Sequence, residues 1–297
     1  MWHSDTEQSP HGQLRGVDTH AHLNMAPLNK DIDGAVARAR QAGLDSIGNV
    51  FLSPQQYRRD SPDFDHLPQV FFILGVHPHG ADSEDEESVA ELRDALQSDS
   101  RIRALGEIGL DFNRERSSRE GQRERFRQQL ELAREVDSPV VIHSRDTEEE
   151  TMETLLDMGF RDRPLLWHCF GLDAAFATRI LDCGWTISVP GMLTFKKADA
   201  LRDAVSTIPL ERLALETDCP FLAPEPYRGK TNEPALIPYI AEVAARTHGL
   251  ETEAMMRATA ATAQSFFGLV RRRETGSRSQ ESINRSQKTD NVESTDG

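Results

Sequence analysis

Lysine is the scarcest charged residue of this chain: 5 lysines stand beside 29 arginines, and the formal net charge of the 297 residues is -15. A strongly acidic chain repels phosphate backbones, which excludes a broad nucleic-acid-binding surface and requires any contact with nucleic acid to be local. An acidic, lysine-poor surface is also expected of a protein kept in solution by concentrated salt, which screens charge repulsion. The composition therefore predicts a halophilic source, with a bias towards arginine codons as the alternative.

Cysteine and long apolar runs are lacking as well. The three cysteines, Cys169, Cys183 and Cys219, are unevenly spaced and form no CxxC pair, so the sequence offers no disulfide framework and fits a reducing compartment. No apolar run approaches the ~18 residues that a membrane span needs. The polar start, MWHSDTEQSPHGQ, lacks the layout of a signal peptide. We expect a cytoplasmic protein that does not associate with membranes.

Composition divides the chain into three regions. Residues 1–15 form a polar arm, residues 16–270 alternate apolar runs with charged amphipathic stretches, and residues 271–297 contain almost nothing apolar. We predict a disordered tail for the last region, and its arginine cluster is better explained by solvation than by a partner. Nothing implies an obligate protein partner. The middle region has a length that α/β barrels often occupy as one domain.

Short β-rich runs recur throughout the middle region, with helical patterns between them. The runs span residues 17–22, 46–52, 70–77, 102–111, 139–145, 164–170, 184–190 and 212–219. Eight strands, each followed by a helix, predict a parallel sheet closed into a (β/α)8 TIM-type barrel in a single domain. The helical pattern near residues 53–60 is weak. An open doubly wound sheet is the alternative, although no glycine-rich phosphate loop follows any strand.

The stretch GVDTHAHL, residues 16–23, places two histidines on one predicted strand. Strand side chains alternate between faces, so His20 and His22 point the same way, and Asp18 points with them. Taken alone, the pair is equally compatible with a metal site and with a hydrogen-bonded structural role. The residues on the other predicted strands are needed to distinguish a metal site from a structural role.

Chemically active residues recur near the carboxyl ends of the runs, where α/β barrels place their active sites. These residues are His20, His22, His77, Glu107, His143, His168 and Asp218. Each has an ordinary alternative role, such as a helix cap or an ion pair. Buried titratable groups are nevertheless costly unless they are paired or bind a metal. Imidazoles and carboxylates that converge on one rim therefore predict a metal site.

The number of candidate ligands favours more than one ion. Four imidazoles and two carboxylates supply six ligands, which exceed what one tetrahedral zinc accepts, so two divalent ions are expected. A carboxylate can bridge ions that lie ~3.5–4 Å apart, and Glu107, central in strand order, is the candidate bridge. Asp218 can hold one ion and orient the attacking water or accept its proton. Because no redox cofactor motif is present, hydrolysis is the expected reaction class.

The chain resembles the TatD-type metal-dependent deoxyribonucleases of the amidohydrolase-like barrel superfamily. The resemblance covers nearly all of residues 16–270, with the motifs in order. The matching segments are VDTHAHL (17–23), GVHPH (75–79), GEIGLDFNR (106–114), VIHSRD (141–146), HCF (168–170), LETDCPFLAP (215–224) and RGKTNEP (228–234).

The resemblance implies a two-metal barrel enzyme that hydrolyses phosphodiester bonds in DNA and, in some members, RNA. It further implies 3′-to-5′ exonuclease action on single strands with Mg²⁺, Mn²⁺ or Zn²⁺. Matched residue by residue, one ion is implied at His20, His22, Glu107 and Asp218, and the other at Glu107, His143 and His168. His77 falls where the family contacts the phosphate or a bound water.

Further residues are candidates for supporting roles. Arg114, Arg145, Arg228 and Lys230 follow strand ends and are candidate phosphate contacts, with surface ion pairs as the alternative. Asp18 and Glu216 lie one step deeper on their strands and are expected to support the ligands. The chain departs from the family pattern at Ala21, where many members have cysteine. It departs again where Phe170 meets Gly171 directly, which shortens the sixth loop.

Three functions stay open on the sequence. The first is a metal-dependent nuclease. The second is a deacylase or esterase of the same superfamily, for example on aminoacyl-tRNA, because one barrel supports several hydrolytic chemistries. The third is a non-catalytic nucleic-acid-binding scaffold. A scaffold would lack ligands, and none is missing here; a deacylase would need an acyl pocket rather than a positive rim.

Overall fold

The computed structural model describes residues 15–83, 87–114 and 116–269. The predicted tail and all but the last residue of the predicted N-terminal arm lie outside these ranges, so the proposed division of the chain stays a prediction. The strands are β1 (Val17–Ala21), β2 (Ser46–Phe51), β3 (Val70–Leu74), β4 (Ile102–Asp111), β5 (Val140–Arg145), β6 (Leu165–Trp167), β7 (Thr186–Val189) and β8 (Leu213–Leu215). The α-helices are α1 (Ile32–Gln41), α2 (Pro54–Asp60), α3 (Glu87–Ser98), α4 (Arg119–Glu135), α5 (Glu148–Asp157), α6 (Ala174–Asp182), α7 (Asp199–Thr207), α8 (Ile237–His248) and α9 (Thr252–Phe267).

The strands form one parallel sheet in which each strand pairs with the next along the chain, in the order β1 to β8. A short seam joins the first strand to the residues after the last one. There the His22 N–H donates to the Cys219 carbonyl at 2.8 Å, and the Asp218 N–H donates to the His20 carbonyl at 2.9 Å. The predicted TIM-type barrel is confirmed.

Local sequence signals explain where helices begin and end. The Ser118 side chain accepts the Gly121 N–H at the start of α4, and Ser53 accepts the Gln56 N–H at the start of α2. The weak pattern near residues 53–60 therefore does form a helix. Helix α8 ends at Gly249, whose φ of 65° is the left-handed conformation that glycine adopts at little cost.

Several strands are shorter than the apolar runs that predicted them. Strand β3 ends at Leu74, β6 at Trp167 and β8 at Leu215, so His77, His168 and Asp218 lie on the loops that follow rather than on strand ends. Strand β4, in contrast, continues past Glu107 to Asp111. The apolar pattern extends beyond the β-ladder because residues at the barrel mouth, such as His77 and His168, are still buried after the last strand-to-strand hydrogen bond.

The hydrophobic core has two parts. One packs between the sheet and the surrounding helices and includes Phe72 and Trp167. The other fills the barrel and contains Val141 and Ala214 together with Phe267 from α9. Helix α9 thus closes the amino-terminal end of the barrel and leaves the carboxyl-terminal mouth to polar residues. Within the described residues, no helix combines the length and the apolar character needed to cross a bilayer.

Candidate metal centre

The Glu107 carboxylate lies at the centre of the barrel mouth and is buried. Its Oε2 atom lies 3.4 Å from Nε2 of His20 and 4.0 Å from Nε2 of His22. Asp218 approaches the same two rings, with its Oδ1 atom 3.5 Å from Nε2 of His22 and 3.9 Å from Nε2 of His20. One side of the mouth therefore combines two imidazoles with two carboxylates.

The second oxygen of Glu107 faces a different set of imidazoles. Its Oε1 atom lies 2.5 Å from Nδ1 of His143, 3.0 Å from Nε2 of His168 and 3.6 Å from Nε2 of His77. The structure thus brings His77, which we expected to contact substrate, into contact with Glu107 itself. The two oxygens of one carboxylate divide the histidines into two groups.

The backbone that carries Glu107 depends on a glycine two residues later. Gly109 has a φ of +145°, and a Cβ atom at this position would lie 1.9 Å from the His143 carbonyl oxygen. Only glycine permits this conformation and this approach. The GEIGLD motif is therefore required for β4 to run close beside β5, which places the Glu107 and His143 side chains together.

Mutual charge sets the protonation of the cluster. Burial alone would raise the pKa of Glu107, but the imidazoles of His168, His77 and His143 outweigh it and hold that pKa well below its usual value. Burial would lower the pKa of His168, yet the carboxylates of Glu216 and Glu107 raise it well above the usual value. Burial lowers the pKa of His77 to about 4. An ionised carboxylate is thus flanked by charged and by neutral imidazoles.

The residues present fit divalent metal ions. Among the described residues, neither ring nitrogen of His20 has a hydrogen-bond partner, although the ring is fully buried. A buried imidazole without partners is costly, and a metal ion satisfies it. Three sets of ligand atoms lie within 4.8 Å of one another: His20, Glu107 and His168; His20, His22 and Asp218; and His77, Glu107 and His143. Imidazole nitrogens and carboxylate oxygens together suit zinc and manganese.

Two further carboxylates, those of Glu216 and Asp18, contact the candidate ligands from deeper in the barrel. Glu216 Oε1 lies 3.2 Å from Nδ1 of His168 and accepts the Cys169 N–H at 2.6 Å. Asp18 accepts the Thr217 hydroxyl at 2.6 Å and the His20 N–H at 3.2 Å, and burial raises its pKa to about 7. Glu216 and Asp18 lie deeper in the barrel than the candidate ligands, which is the position that the sequence predicts for them. Such carboxylates fix the orientation of ligand residues.

Sequence reasoning missed Asp111, which is buried at the end of β4. Its Oδ2 atom lies 3.1 Å from Nε2 of His143 and 3.0 Å from Nε2 of His79, and its Oδ1 atom accepts the Asn113 N–H. Burial would raise the pKa of Asp111, but hydrogen bonds from His143 and His79 hold it well below the usual value. An ionised Asp111 therefore accepts the proton on Nε2 of His143 and leaves Nδ1 facing Glu107.

We expect Asp111→Asn to weaken divalent-metal binding by about 10- to 100-fold, because the amide no longer holds the His143 ring through a charged acceptor. Isothermal titration with Mn²⁺ or Zn²⁺ measures this affinity directly. Asp137→Asn is the matched control, since Asp137 is exposed on the connection that leads into β5, at the opposite end of the barrel. Equal metal affinity in the Asp111 variant and the wild type would contradict the role of Asp111.

The four predicted substrate cations lie on the rim but not together. The side chains of Arg114 and Arg145 are exposed and form no ion pair with any described residue. The Arg228 guanidinium stacks 4.3 Å above the Phe195 ring, and Nζ of Lys230 lies 5.5 Å from the centre of another ring, that of Tyr227. None of the four contacts the Glu107 cluster. The ion-pair alternative is not found for any of them within the described residues.

The few lysines of the described chain all lie on the same kind of loop. Every lysine in the described part of the chain lies on a loop that follows a strand and leads to the next helix: Lys30, Lys196, Lys197 and Lys230. These lysines form no ion pairs with described residues, whereas arginines on the outer helices do, as in Arg93–Glu135 and Arg179–Glu149. Since loops of this kind lie at the mouth of an α/β barrel, the described lysines lie at the same end of the barrel as the candidate metal centre.

Comparison with known proteins places the chain among metal-dependent hydrolases. The family model of TatD related DNase matches residues 17–268. The chain is 34% identical over 250 residues to the uncharacterized metal-dependent hydrolase YabD of Bacillus subtilis, covering 84% of this chain and 98% of that protein. It is 33% identical over 260 residues to the 3'-5' ssDNA/RNA exonuclease TatD of Klebsiella pneumoniae, covering 85% and 97%. The crystal structure of YJJV, a TatD homologue from Escherichia coli, superposes with a TM-score of 0.80 at 28% identity and covers 86% of this chain and 98% of that chain.

Proposed function

The chain belongs to the TatD-related DNases, a family of metal-dependent hydrolases, and on that premise we propose that it removes nucleotides from the 3′ end of single-stranded DNA or RNA. One observation carries the proposal. The Glu107 carboxylate presents one oxygen to His20 and His22 and the other to His143 and His168. This is the arrangement that a bridging ligand between two ions requires.

Each group of ligands has a place in the proposed reaction. His20, His22 and Asp218 would hold one ion, His143 and His168 would hold the other, and Glu107 lies within reach of both. Two bound Mg²⁺, Mn²⁺ or Zn²⁺ ions would supply the Lewis acidity that makes water a nucleophile at neutral pH and neutralises charge on the phosphate. Glu216, Asp18 and Asp111 keep the ligand residues oriented.

In the proposed mechanism Asp218 accepts a proton and His77 donates a hydrogen bond. Although burial opposes ionisation, the hydrogen bond from His22 and the charges of His168 and His20 lower the pKa of Asp218, so its carboxylate can accept the proton of the attacking water. In His77, Nδ1 accepts the His79 N–H at 3.1 Å, so the neutral ring carries its proton on Nε2. That N–H faces the mouth beside Glu107 and can donate to a phosphoryl oxygen.

Substrate binding is assigned to the unpaired cations of the rim. Arg114 and Arg145 extend from the ends of β4 and β5, next to the group that contains His143. They supply the local positive charge that an acidic nuclease needs for phosphate contacts. The three cysteines are free, which supports the proposed cytoplasmic location.

The decisive assay follows a 5′-labelled oligonucleotide over time. We expect stepwise shortening from the 3′ end of single-stranded DNA or RNA with Mg²⁺, Mn²⁺ or Zn²⁺, and no cleavage with a chelator. Aminoacyl-tRNA is tested in parallel, and release of amino acid without nucleotides would favour a deacylase instead. No nucleotide release with any metal, in low and in high salt, would overturn the proposal. Full folding and activity in low salt would argue against a halophilic source.

A further inference from the structure

Phe221 is an exposed aromatic residue beside the candidate metal centre. About half of its surface is accessible (53%), and its ring centre lies 6.3 Å from that of His22. Of the other large apolar side chains that the structure describes, only Leu156 (36%) and Leu250 (37%) are also exposed, and both belong to the outer helices and their connections. Single exposed apolar residues are common on protein surfaces. Phe221 differs in its position, because it borders the space in which the scissile phosphate has to bind.

The backbone of Phe221 is held rigidly. Its N–H donates to the Asp218 carbonyl at 3.0 Å, and its carbonyl accepts Nδ2 of Asn232 at 2.6 Å. Asn232 is fully buried and also donates to the Thr217 carbonyl at 2.8 Å. The same short turn therefore fixes the backbone of Asp218 and Phe221 relative to each other. A ring carried by a fixed backbone loses less conformational entropy on binding than one on a mobile loop.

The loops after β7 and β8 form one continuous surface next to this ring. A Cβ atom on Gly191 would lie 2.1 Å from the Leu222 carbonyl oxygen, which shows how closely the two loops approach. The Glu225 N–H donates to the Thr194 hydroxyl at 2.8 Å, and Arg228 from one loop stacks on Phe195 from the other.

Three of the four described lysines belong to this surface: Lys196, Lys197 and Lys230. Together with Arg228 they place four cations on the two packed loops, one of which carries the exposed ring. An aromatic ring with neighbouring cations is the combination that recognises single-stranded nucleic acid, in which the bases are free to stack and the phosphates follow a positive path.

We infer that Phe221 stacks on the base of the 3′-terminal nucleotide and that Lys196, Lys197, Arg228 and Lys230 bind the phosphates of the strand that leads to it. The inference rests on the proposed nuclease function and adds to it the side chain that selects an unpaired end. A ring face stacks on any base, so cleavage is tolerant of sequence. A base within a duplex is unavailable, so single strands are preferred.

The test compares Phe221→Ala with the wild type on two oligonucleotides that differ only at the 3′ end, one with a normal terminal nucleotide and one with an abasic residue. We expect kcat/KM for the normal end to fall by about 5- to 100-fold, mainly through KM, because a base–aromatic stack is lost. The abasic oligonucleotide has no base to stack, so the variant and the wild type cleave it equally. Phe221→Trp keeps a stacking face and retains wild-type preference for the normal end.

Leu156→Ala is the matched control, since it removes an equally isolated exposed apolar side chain from α5 and is expected to leave both substrates unaffected. The Tm of each variant confirms folding. If the wild type cleaves neither oligonucleotide, the nuclease proposal has failed. If the wild type cleaves and Phe221→Ala retains its preference for the normal end, the stacking inference alone has failed. Equal losses on the normal and abasic ends would also overturn the inference, because they would show that the base is not the partner of the ring.

Discussion

Replacement of Glu107 by alanine or glutamine is expected to abolish phosphodiester hydrolysis, with a loss of about 10³-fold or more in kcat. The Glu107 carboxylate is the only described group whose two oxygens face both sets of histidines. An amide keeps the volume of the side chain but removes its charge and one of the two acceptors. The group of His143 and His168 then has no carboxylate ligand, and the group of His20 and His22 keeps only that of Asp218.

Activity and metal content have to be measured together for the Glu107 variants. Nucleotide release from single-stranded DNA gives the rate, and elemental analysis of dialysed protein gives the number of bound ions, which is expected to fall. Glu135→Gln is the matched control, because Glu135 pairs with Arg93 on the outer surface. Full activity in Glu107→Gln, in a variant with wild-type Tm, would show that the bridging role is wrong.

Divalent metal is expected to raise the thermal stability of the protein strongly. A ligand that binds only the folded state at about 1,000 times its Kd adds roughly 4 kcal/mol to the free energy of unfolding, which corresponds to a rise in Tm of about 8–16 °C for a domain of this size. The structural reason is the buried His20 ring without hydrogen-bond partners among the described residues, and the approach of both the Glu107 and the Asp218 carboxylates to its Nε2 atom. Scanning calorimetry with Mn²⁺ or Zn²⁺, and again after addition of a chelator, measures the effect.

Metal binding is also expected to release protons. Burial opposes protonation of His168, but Glu216 and Glu107 raise its pKa well above the usual value, so the ring is charged at neutral pH and must lose a proton to act as a ligand. Metal affinity therefore falls as pH falls, and the heat of binding varies with the ionisation enthalpy of the buffer. His20→Ala combined with His168→Ala is expected to remove both the rise in Tm and the proton release. An unchanged Tm with every metal tested would contradict a metal site at the barrel mouth.

The sequence predicts the barrel because eight apolar runs alternate with helical patterns, and this alternation depends only on neighbouring residues. It predicts strand ends less well, since His77 and His168 stay buried beyond the last ladder hydrogen bond of their strands. Asp111 was predictable in principle. It is the last residue of the fourth run and lies four residues after Glu107 on the same strand, so side-chain alternation directs both residues to the same face.

Other features of the site depend on contacts between loops and could not be predicted from the chain alone. Arg228 and Lys230 were placed on the rim, but the stacking of Arg228 on Phe195 follows from the packing of the loop after β8 against the loop after β7. Lys230 lies over Tyr227 of its own loop. The alternative role of these cations, in surface ion pairs, is not found within the described part of the chain. The roles of the predicted ligands as metal-binding residues stay predictions, although the structure brings their side chains together.

The seam between β1 and the residues after β8 has a consequence for protein synthesis. Asp18 accepts hydrogen bonds from Thr217, 199 positions later, and the ligand groups likewise combine His20 with Asp218. Contacts of such long range form last, because the intervening chain must first be ordered. On the ribosome, a nascent chain that has not yet released Asp218 lacks both the closed sheet and a complete catalytic cluster. If the proposed exonuclease function holds for RNA, the enzyme stays inactive beside its own messenger RNA until the segment after β8 has left the ribosome.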